Sequence, residues 1–433
     1  MQSIYNMKRV LVLGSGGREH AFVYALSKSP LLDKLYCAPG NPGTALLAEN
    51  VPLKISDFKA IASLIKDENI DIVVVGPENP LVDGLRDYLE EEGILERTIF
   101  VGPGRDGAQL EGSKEFAKEF MKRWSVPTAA YNTYSKEGIG DAFNFLETLS
   151  PPYVLKADGL AAGKGVVIPE TIEEARRELS EMMNGKFGKA GDRVVIEEFL
   201  KGIELSVFVL TDGKNYLMLP SAKDYKRVGE GDKGANTGGM GAVSPVPFAN
   251  DAFMKKVEER IVKPTLKGLS EEGINYCGFI FIGLMNCKGD PYVIEYNVRM
   301  GDPETEAVLP RIKSDLLAHF IAMGEGKLNS EKIEISEESS LAVVTVSGGY
   351  PEDYRKGVAI SIEDGISSTL FHSGTALENG ALVTSGGRVM VVSALGGEIR
   401  SASEKAYRDV KKISFEGMYY RRDLGEDLLK YRD

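Results

Sequence analysis

Apolar and polar positions sort residues 8–105 into short β-branched runs separated by stretches with helical spacing. The runs 10–13, 35–38, 72–75 and 99–101 are apolar throughout and end at glycine or proline, which predicts parallel strands buried on both faces. Segments 60–66 and 81–92 carry helical periodicity and predict crossover helices. The result is an open α/β domain, whose ligands approach the carboxyl ends of its strands. Loops 14–20, 39–43 and 76–80 occupy those ends.

Farther along, Ser113 predicts the cap of a helix reaching about Arg123, and Pro127 closes the connection that follows. From Tyr153 the pattern becomes strand (153–156), glycine-rich turn (159–165), strand (166–169), helix (171–183) and strand (194–199), a small α+β unit with a flap. Residues 204–211 and 215–219 predict a hairpin around Asp212-Gly213, and 251–272 a long helix. A second hairpin joins 279–287 to 291–298. Residues 325–339 are charged and polar and read as a linker. Beyond them, 341–433 predicts strands and a final helix over 402–413, with no evident cluster of reactive side chains.

A chain of 433 residues, 43% hydrophobic, can bury several cores and divide into roughly two to four domains. The net charge of −12 argues against broad nucleic-acid binding, so an anionic ligand must be met by local lysines and arginines. Cys37, Cys277 and Cys287 lack metal-ligand spacing and are too few for a disulfide scaffold, which points to a reducing cytoplasmic setting. No apolar stretch is long enough for a membrane span, and residues 1–9 lack a signal-peptide core. Met7 is a candidate older start, with residues 1–6 as a dispensable extension. His20, His319 and His372 fall in no triad or zinc pattern and are expected to be structural.

The candidate chemistry centres on residues 293–305. Glu295, Asn297 and Arg299 alternate in a β-branched run, which on a strand puts all three on one face. Glu295 and Asn297 offer hard oxygens suited to Mg²⁺, and Arg299 could clamp a phosphate or carboxylate. Alone, this is also what the solvated face of any half-exposed strand looks like. Lys156 and Lys164 flank a glycine-rich turn that suits a flap over phosphates. It is no P-loop, because Gly159 and Gly163 stand one residue too close and Gly165 replaces the metal-binding hydroxyl. Glu197 and Glu198 end an apolar strand, and Lys223 to Arg227 with Ala235 to Gly241 bracket a loop suited to anions. The loop Gly14 to His20 could hold an anion at a helix N-terminus. It is not a dinucleotide fingerprint, since Glu19 stands where the third glycine belongs.

Taken in order, Gly16-Gly17-Arg18-Glu19-His20, Pro39-Gly40-Asn41, Gly76-Pro77-Glu78, Leu110 to Lys114, Lys156 to Gly165, Glu197-Glu198-Phe199-Leu200, Asn236 to Gly241 and Gly301 to Thr305 resemble the ATP-grasp superfamily. The resemblance implies an α/β, ATP-grasp fold: an N-terminal open parallel domain over 1–109, the ATP-grasp domain over 110–330 with a lid near 127–197, and a mainly β domain over 331–433. It implies a ligase that joins glycine to 5-phosphoribosylamine, cleaving ATP to ADP and phosphate through glycyl phosphate, in purine synthesis. By resemblance Lys114 and Lys156, with flap residues Gly163, Lys164 and Gly165, hold ATP phosphates. Glu197, Glu198, Phe199 and Leu200 would meet adenine and Glu204 the ribose, with Arg227 and Asn236 completing the nucleotide site. Glu295 and Asn297 would bind Mg²⁺ or Mn²⁺.

Gly16, Gly17, Arg18, Gly40, Asn41, Glu78, Asp224, Asp302 and Pro303 are expected on the substrate side. Arg299, Asp302 and Arg227 are the catalytic candidates. One departure stands out: Tyr225 occupies a position where many relatives are expected to carry histidine. The expected partners are small molecules, without nucleic acid or membrane, and the expected state is a monomer. Two other readings remain open on sequence alone, another ATP-grasp carboxylate–amine ligase or carboxylase, and a noncatalytic nucleotide sensor.

Overall fold

In the computed structural model, residues 7–160 and 165–431 are described. Gly163, Lys164 and the 1–6 extension therefore lie outside the described residues. Strands β1 (Lys8–Gly14), β2 (Leu32–Pro39), β3 (Glu49–Asn50), β4 (Ile72–Val75) and β5 (Ile99–Val101) form a parallel sheet in the order β3-β2-β1-β4-β5. Chain direction across the sheet reverses at β1, so the loops after β1, β2 and β4 meet at one edge. Helix α1 (Gly17–Leu26) and α2 (Phe58–Asp67) flank it. The single helix expected over 81–92 is broken into α3 (Asn79–Val82) and α4 (Leu85–Glu91). Gly84 between them has φ +88°, and a Cβ there would lie 2.5 Å from the Arg105 guanidinium, so the break needs glycine.

Helix α5 (Arg105–Gly112) leads to α6 (Lys114–Arg123), whose cap is Ser113 accepting from the Phe116 amide. The expected α+β unit follows as β6 (Tyr131–Ser135), α7 (Ile139–Thr148), β7 (Tyr153–Ala157), β8 (Val166–Val167), α8 (Ile172–Glu181) and β9 (Arg193–Glu198). Its sheet runs β6-β9-β7-β8. The apolar pattern assigned no element to the stretch that forms β6 and α7, because β6 carries polar and half-buried residues throughout.

Strands β10 (Ile203–Thr211) and β11 (Tyr216–Met218) make the first expected hairpin, and short β12 (Lys223–Asp224) follows. Next come β13 (Arg227–Gly229) and β14 (Lys233–Asn236), a ribbon where a loop was expected, then β15 (Gly241–Ser244). The long helix appears as α9 (Asp251–Val257) and α10 (Lys263–Glu271), joined by one wide turn over Glu258–Val262. That turn precedes Pro264, which lacks the amide an ordinary turn would require. The second hairpin is β16 (Gly278–Cys287) and β17 (Asp290–Asn297), in a sheet ordered β11-β10-β16-β17. Helix α11 (Glu304–Val308) packs against α1 and β15, and α12 (Leu316–Gly324) against β5, with Phe320 on Phe279 of β16.

The carboxy-terminal part contains β18 (Ser339–Val346), β19 (Ser361–Ile362), β20 (Thr369–His372), β21 (Thr375–Glu378), β22 (Ala381–Thr384), β23 (Arg388–Gly396), α13 (Ile399–Val410) and β24 (Ile413–Ser414). Its main sheet is β12-β15-β18-β23-β20. Strands that precede residue 331 thus share a sheet with strands that follow it, and the expected boundary does not divide the backbone pairing. The expected linker is also held: Lys313 donates its amide to the Glu334 carbonyl at 2.8 Å, and Ile335 bridges Ile312. The three cysteines are free thiols, and no described helix is long and apolar enough to cross a membrane.

Candidate functional site

Glu295 and Asn297 lie on β17 opposite Gly283 and Phe281 of β16. A bulge at this point shifts the alternation. Val293 and Tyr296 both enter the same buried core, whereas unbroken alternation would send Glu295 there with Val293. The bulge therefore turns Glu295 and Asn297 to the cleft. Arg299 corrects the expectation of three residues on one strand face, since β17 ends at Asn297 and Arg299 sits in the bend beyond. Its Nη2 donates to Glu111 Oε1 at 2.6 Å, and its Nε forms an ion pair with Glu78 Oε2 at 3.3 Å without hydrogen-bond alignment. Burial would raise the Glu78 carboxyl, but Arg299 and Arg18 hold it below its usual range.

Lys114 and Lys156 approach this strand from α6 and β7. Lys156 Nζ donates to the Ile294 carbonyl at 3.1 Å, and Lys114 Nζ donates to the Gly159 carbonyl at 3.3 Å. Burial lowers the Lys114 ammonium, partly offset by Glu295 nearby. Asp158 anchors the flap base, accepting from the Glu115 amide at 2.7 Å and the Ser113 hydroxyl. Gly165 closes the other end through its carbonyl and the Ala157 amide.

The acidic strand end differs from expectation. The Glu197 carboxylate is not presented to a base: it is 3% exposed and forms ion pairs with Lys118 and Lys156 at 3.0 and 2.9 Å. Glu198 accepts the Ala130 amide, and Phe199 and Leu200 are half-buried in the passage to β10. Glu204 pairs with Lys226 at 2.8 Å, and Lys226 lies 3.6 Å from Asp224. Lys226 holds Glu204 below its usual range, and Asp224 and Glu204 with Glu295 hold the Lys226 ammonium far above its own. The sequence places Lys226 in a run suited to anions but gives it no role of its own. Arg227 donates to the Gly234 carbonyl and pairs in register with exposed Asn236, so both belong to the ribbon's base, away from its turn.

At the edge of the parallel sheet, a cleft lined by Gly14, Gly16, Pro39, Leu53, Lys54 and Pro77 opens toward residues 300–303. Glu19 takes the anion position that α1 was expected to offer: its Oε2 accepts the Gly16 amide at 2.6 Å and its Oε1 the Arg18 guanidinium at 2.7 Å. Arg18 also donates to the Met300 carbonyl. Asn41 is spent internally, donating to the Ser15 and His372 carbonyls and accepting the Gly43 and Thr44 amides. Gly40 hydrogen-bonds back to Gly14, so with Asn41 it knits the loops together and presents no free side-chain donor. His20 and His372 are buried together with pKa values pushed down to about 3 and about 4, fitting the structural role expected of them.

Three side chains of the carboxy-terminal part enter the site without any local signal. Arg388 donates to the Gly238 and Asp302 carbonyls at 2.8 and 2.7 Å and lies 3.0 Å from Asp302 Oδ1. Tyr350 accepts the Gly238 amide. Arg421 reaches the Arg227 carbonyl and Asp232, fixing the ribbon. Tyr225 points the same way: its hydroxyl donates to Asp427 and accepts the Gly425 amide, a tie that replaces any imidazole there. Pro303 follows a cis peptide and packs under Gly239.

Glu306 is fully buried, and neither carboxyl oxygen has a hydrogen-bond partner. A Cβ at Gly17 would lie 2.3 Å from its Oε1 and 2.6 Å from Ser373 Oγ, so glycine alone fits that junction. Burial, then Asp302, pushes the Glu306 carboxyl well above its usual range. Below about pH 4.3, the carboxyl is protonated in folded and unfolded chains alike. As pH rises past that point only the unfolded chain ionises, so stability is lost until the folded value is reached, by up to about 1.4 kcal/mol per pH unit. Glu306→Gln is expected to flatten the fall in melting temperature between about pH 5 and 8 while matching the parent near pH 4. Parallel melting curves across that range would refute the buried neutral acid.

Among the described residues no group of three or more His, Cys, Asp or Glu side chains is placed to hold a metal. Glu295 and Asn297 are therefore a sparse donor pair. This suits a hard cation that keeps waters and phosphate oxygens in its shell, as Mg²⁺ does.

Family models described as phosphoribosylglycinamide synthetase match in three parts: the N domain over residues 8–111, the ATP-grasp (A) domain over 112–305 and the C domain over 340–427. The phosphoribosylamine–glycine ligase of Chlorobaculum tepidum is 46% identical over 430 residues, covering 97% of this chain and 100% of its own. That of Caldanaerobacter subterraneus is 44% identical, covering 96% and 99%. The crystal structure of the Thermotoga maritima enzyme of the same name superposes with a TM-score of 0.84 at 37% identity, covering 96% and 99%. The biotin carboxylase domain of a Hydrogenobacter thermophilus 2-oxoglutarate carboxylase reaches 0.71 at 16% identity, covering 98% of each chain, and shares the fold. With its three family segments in order and its relatives matched nearly end to end, the chain belongs to the phosphoribosylamine–glycine ligase family.

Proposed function

We propose that this chain joins glycine to 5-phosphoribosylamine at the expense of ATP, releasing ADP, phosphate and glycinamide ribonucleotide in purine synthesis. The observation that carries this reading is the convergence of Glu295 and Asn297 with Lys114 and Lys156 on one side of the cleft. The Asp302 turn meets the β1 loop at Gly16 and through the Arg18–Met300 hydrogen bond, and the β4 loop reaches Arg299 through Glu78. Glycine's carboxylate attacks the γ-phosphorus to give glycyl phosphate, and the amine then displaces phosphate. A carboxylate needs that leaving group before an amine can replace it, and no enzyme nucleophile is required. Catalysis of this kind rests on positioning and charge neutralisation.

Lys114 and Lys156 neutralise the nucleotide phosphates, with the flap including Gly163, Lys164 and Gly165 closing over them to exclude water. Mg²⁺ held by Glu295 and Asn297, or Mn²⁺ in its place, supplies further charge neutralisation at those phosphates. Adenine lies along 198–200, where the backbone leaves β9, and Glu204 with Lys226 faces the ribose. Arg227 and Asn236 cover the outer end of the nucleotide. Arg299, oriented by Glu111 and Glu78, steadies the acyl phosphate, and Asp302, oriented by Arg388, receives the amine. Gly16, Gly17, Arg18 and Glu78 bound the phosphoribosyl side, Asp224 the glycine side. We place the enzyme in the cytoplasm as a monomer.

ADP release measured with each substrate withheld in turn tests the assignment. Strict dependence on glycine and phosphoribosylamine together is expected. Turnover with bicarbonate, or with another amino acid alone, would overturn it in favour of a different ligase or a carboxylase, and nucleotide binding without turnover would leave a sensor.

A further inference from the structure

Lys118 is 1% exposed on the inner face of α6 and so is closed off from any nucleotide in the cleft. Two arms start from its ammonium. One donates to Thr128 Oγ1 at 2.7 Å, and that hydroxyl donates to the Val293 carbonyl at 2.7 Å. The other runs through Glu197, whose Oε2 lies 3.0 Å from Lys118 Nζ and whose Oε1 lies 2.9 Å from Lys156 Nζ. Lys156 in turn donates to the Ile294 carbonyl at 3.1 Å. Both arms thus end on consecutive carbonyls at the β17 bulge, immediately before Glu295.

The charges around Lys118 explain why such a group is kept. Glu197 and Glu198 face it from β9, Lys156 from β7, and the Tyr131 ring from β6 at 5.5 Å. Two buried ammonium groups share one carboxylate, so Lys118 is pushed down by burial to about 8 while Glu197 stays ionised. An apolar side chain would fill the same space more cheaply, because buried ion pairs seldom stabilise relative to well-packed hydrophobes. What the ion pairs add is direction: one buried carboxylate lies 3.0 and 2.9 Å from two ammonium groups, the second without hydrogen-bond alignment, and its charge holds both toward it.

We propose that Lys118 is a positioning residue for phosphoryl transfer, fixing Lys156 and the Glu295 bulge relative to each other through Glu197 and Thr128 without touching substrate. The proposal rests on the reading that Lys156 meets the nucleotide phosphates. Misplacement of reacting groups by about 1 Å can cost about 10²-fold in rate, which sets the scale of the expected effect.

The test compares Lys118→Met, Lys118→Gln and Lys156→Met in the full-length protein, reading kcat, KM for each substrate and melting temperature. Lys118→Met is expected to lower kcat by about 30-fold or more, with KM for glycine and the amine within about twofold. Glutamine is equally uncharged but can still donate to Glu197 and Thr128, so it should recover about tenfold of that loss at a similar melting temperature. Equal kcat in the two variants, or losses that only track melting temperature, would reduce Lys118 to a stabilising charge and overturn the proposal. Should the methionine variant not fold, an unimpaired kcat in the glutamine variant with reduced melting temperature does the same. An impaired Lys156→Met beside a normal Lys118→Met sinks this inference alone. An unimpaired Lys156→Met, with normal KM for ATP, instead sinks the phosphate-binding reading on which it rests.

Discussion

Glu295→Ala is expected to lower turnover by at least about 10³-fold while shifting the melting temperature by less than about 3 °C. A metal anchored at transferring phosphates is worth several kcal/mol of transition-state stabilisation, and each ~1.4 kcal/mol is tenfold in rate. Beside Glu295, Tyr296 turns its hydroxyl into the core toward Thr265, so Glu295 shares that point of β17 with Asn297 alone, and Gly283 opposite offers no replacement. Its carboxylate is half-buried at the cleft and belongs to none of the three hydrophobic clusters, so truncation leaves no cavity among packed side chains. The small stability loss comes from charge, since Lys114 and Lys226 each lose an anion that favours their charged form. Steady-state ADP release over a Mg²⁺ titration, with thermal melts alongside, is the measurement. Near-normal activity at saturating Mg²⁺ would refute the metal assignment.

Glu197→Ala is expected to act in the opposite sense, through the fold before the chemistry. Removing this carboxylate leaves the Lys118 and Lys156 ammonium groups facing each other, each no more than about 5% exposed. Breaking a buried pair by deleting one partner costs about 3–5 kcal/mol, a large part of the ~5–15 kcal/mol that holds a typical protein together. Burial already lowers Lys118 to about 8 beside Glu197 and lowers it further once that anion is gone, which softens the cost as pH rises. The variant should therefore melt well below the parent at pH 6.5 and recover part of the difference at pH 9. Replacing Lys118 in the same chain by methionine should recover more, because it removes one of the two stranded charges. A melting temperature unchanged at pH 6.5 would mean that the buried ion pairs contribute nothing to the α+β unit.

These two carboxylates show where the sequence was legible and where it was not. Both stand in apolar strands and both were expected at the nucleotide site, on spacing and resemblance alone. Nothing local distinguishes a carboxylate that faces a cleft from one that faces two buried lysines. Lys118 sits in a run of charged helical residues that reads as solvated surface, and only the packing of β9 and β7 against α6 turns it inward.

The parallel sheet and its ligand-facing loops were legible because continuous apolar runs between glycines leave few alternatives. The hairpins 203–218 and 278–297 were legible from turn chemistry, as was the Ser113 cap. The helix break at Gly84 and the half-polar strand β6 were not, because propensity and period are averaged over a window while a single turn or an edge strand is decided by its neighbours.

What the sequence determined by itself is therefore the set of elements with strong periodicity and the residue types available for phosphate and metal chemistry. The tertiary structure alone decided which of those residues face the cleft. The β17 bulge sends Glu295 outward by one residue of register, and strand side chains alternate with a period of two, so no reading of composition could fix the face. It alone also brought Arg388, Tyr350 and Arg421 to the Gly238, Asp302 and Arg227 backbone from 86 to 194 residues away. The physical reason is common to all of these cases. Local sequence sets backbone preference within a turn or two, whereas orientation and charge pairing are settled by long-range packing, where each buried polar group must find its partner.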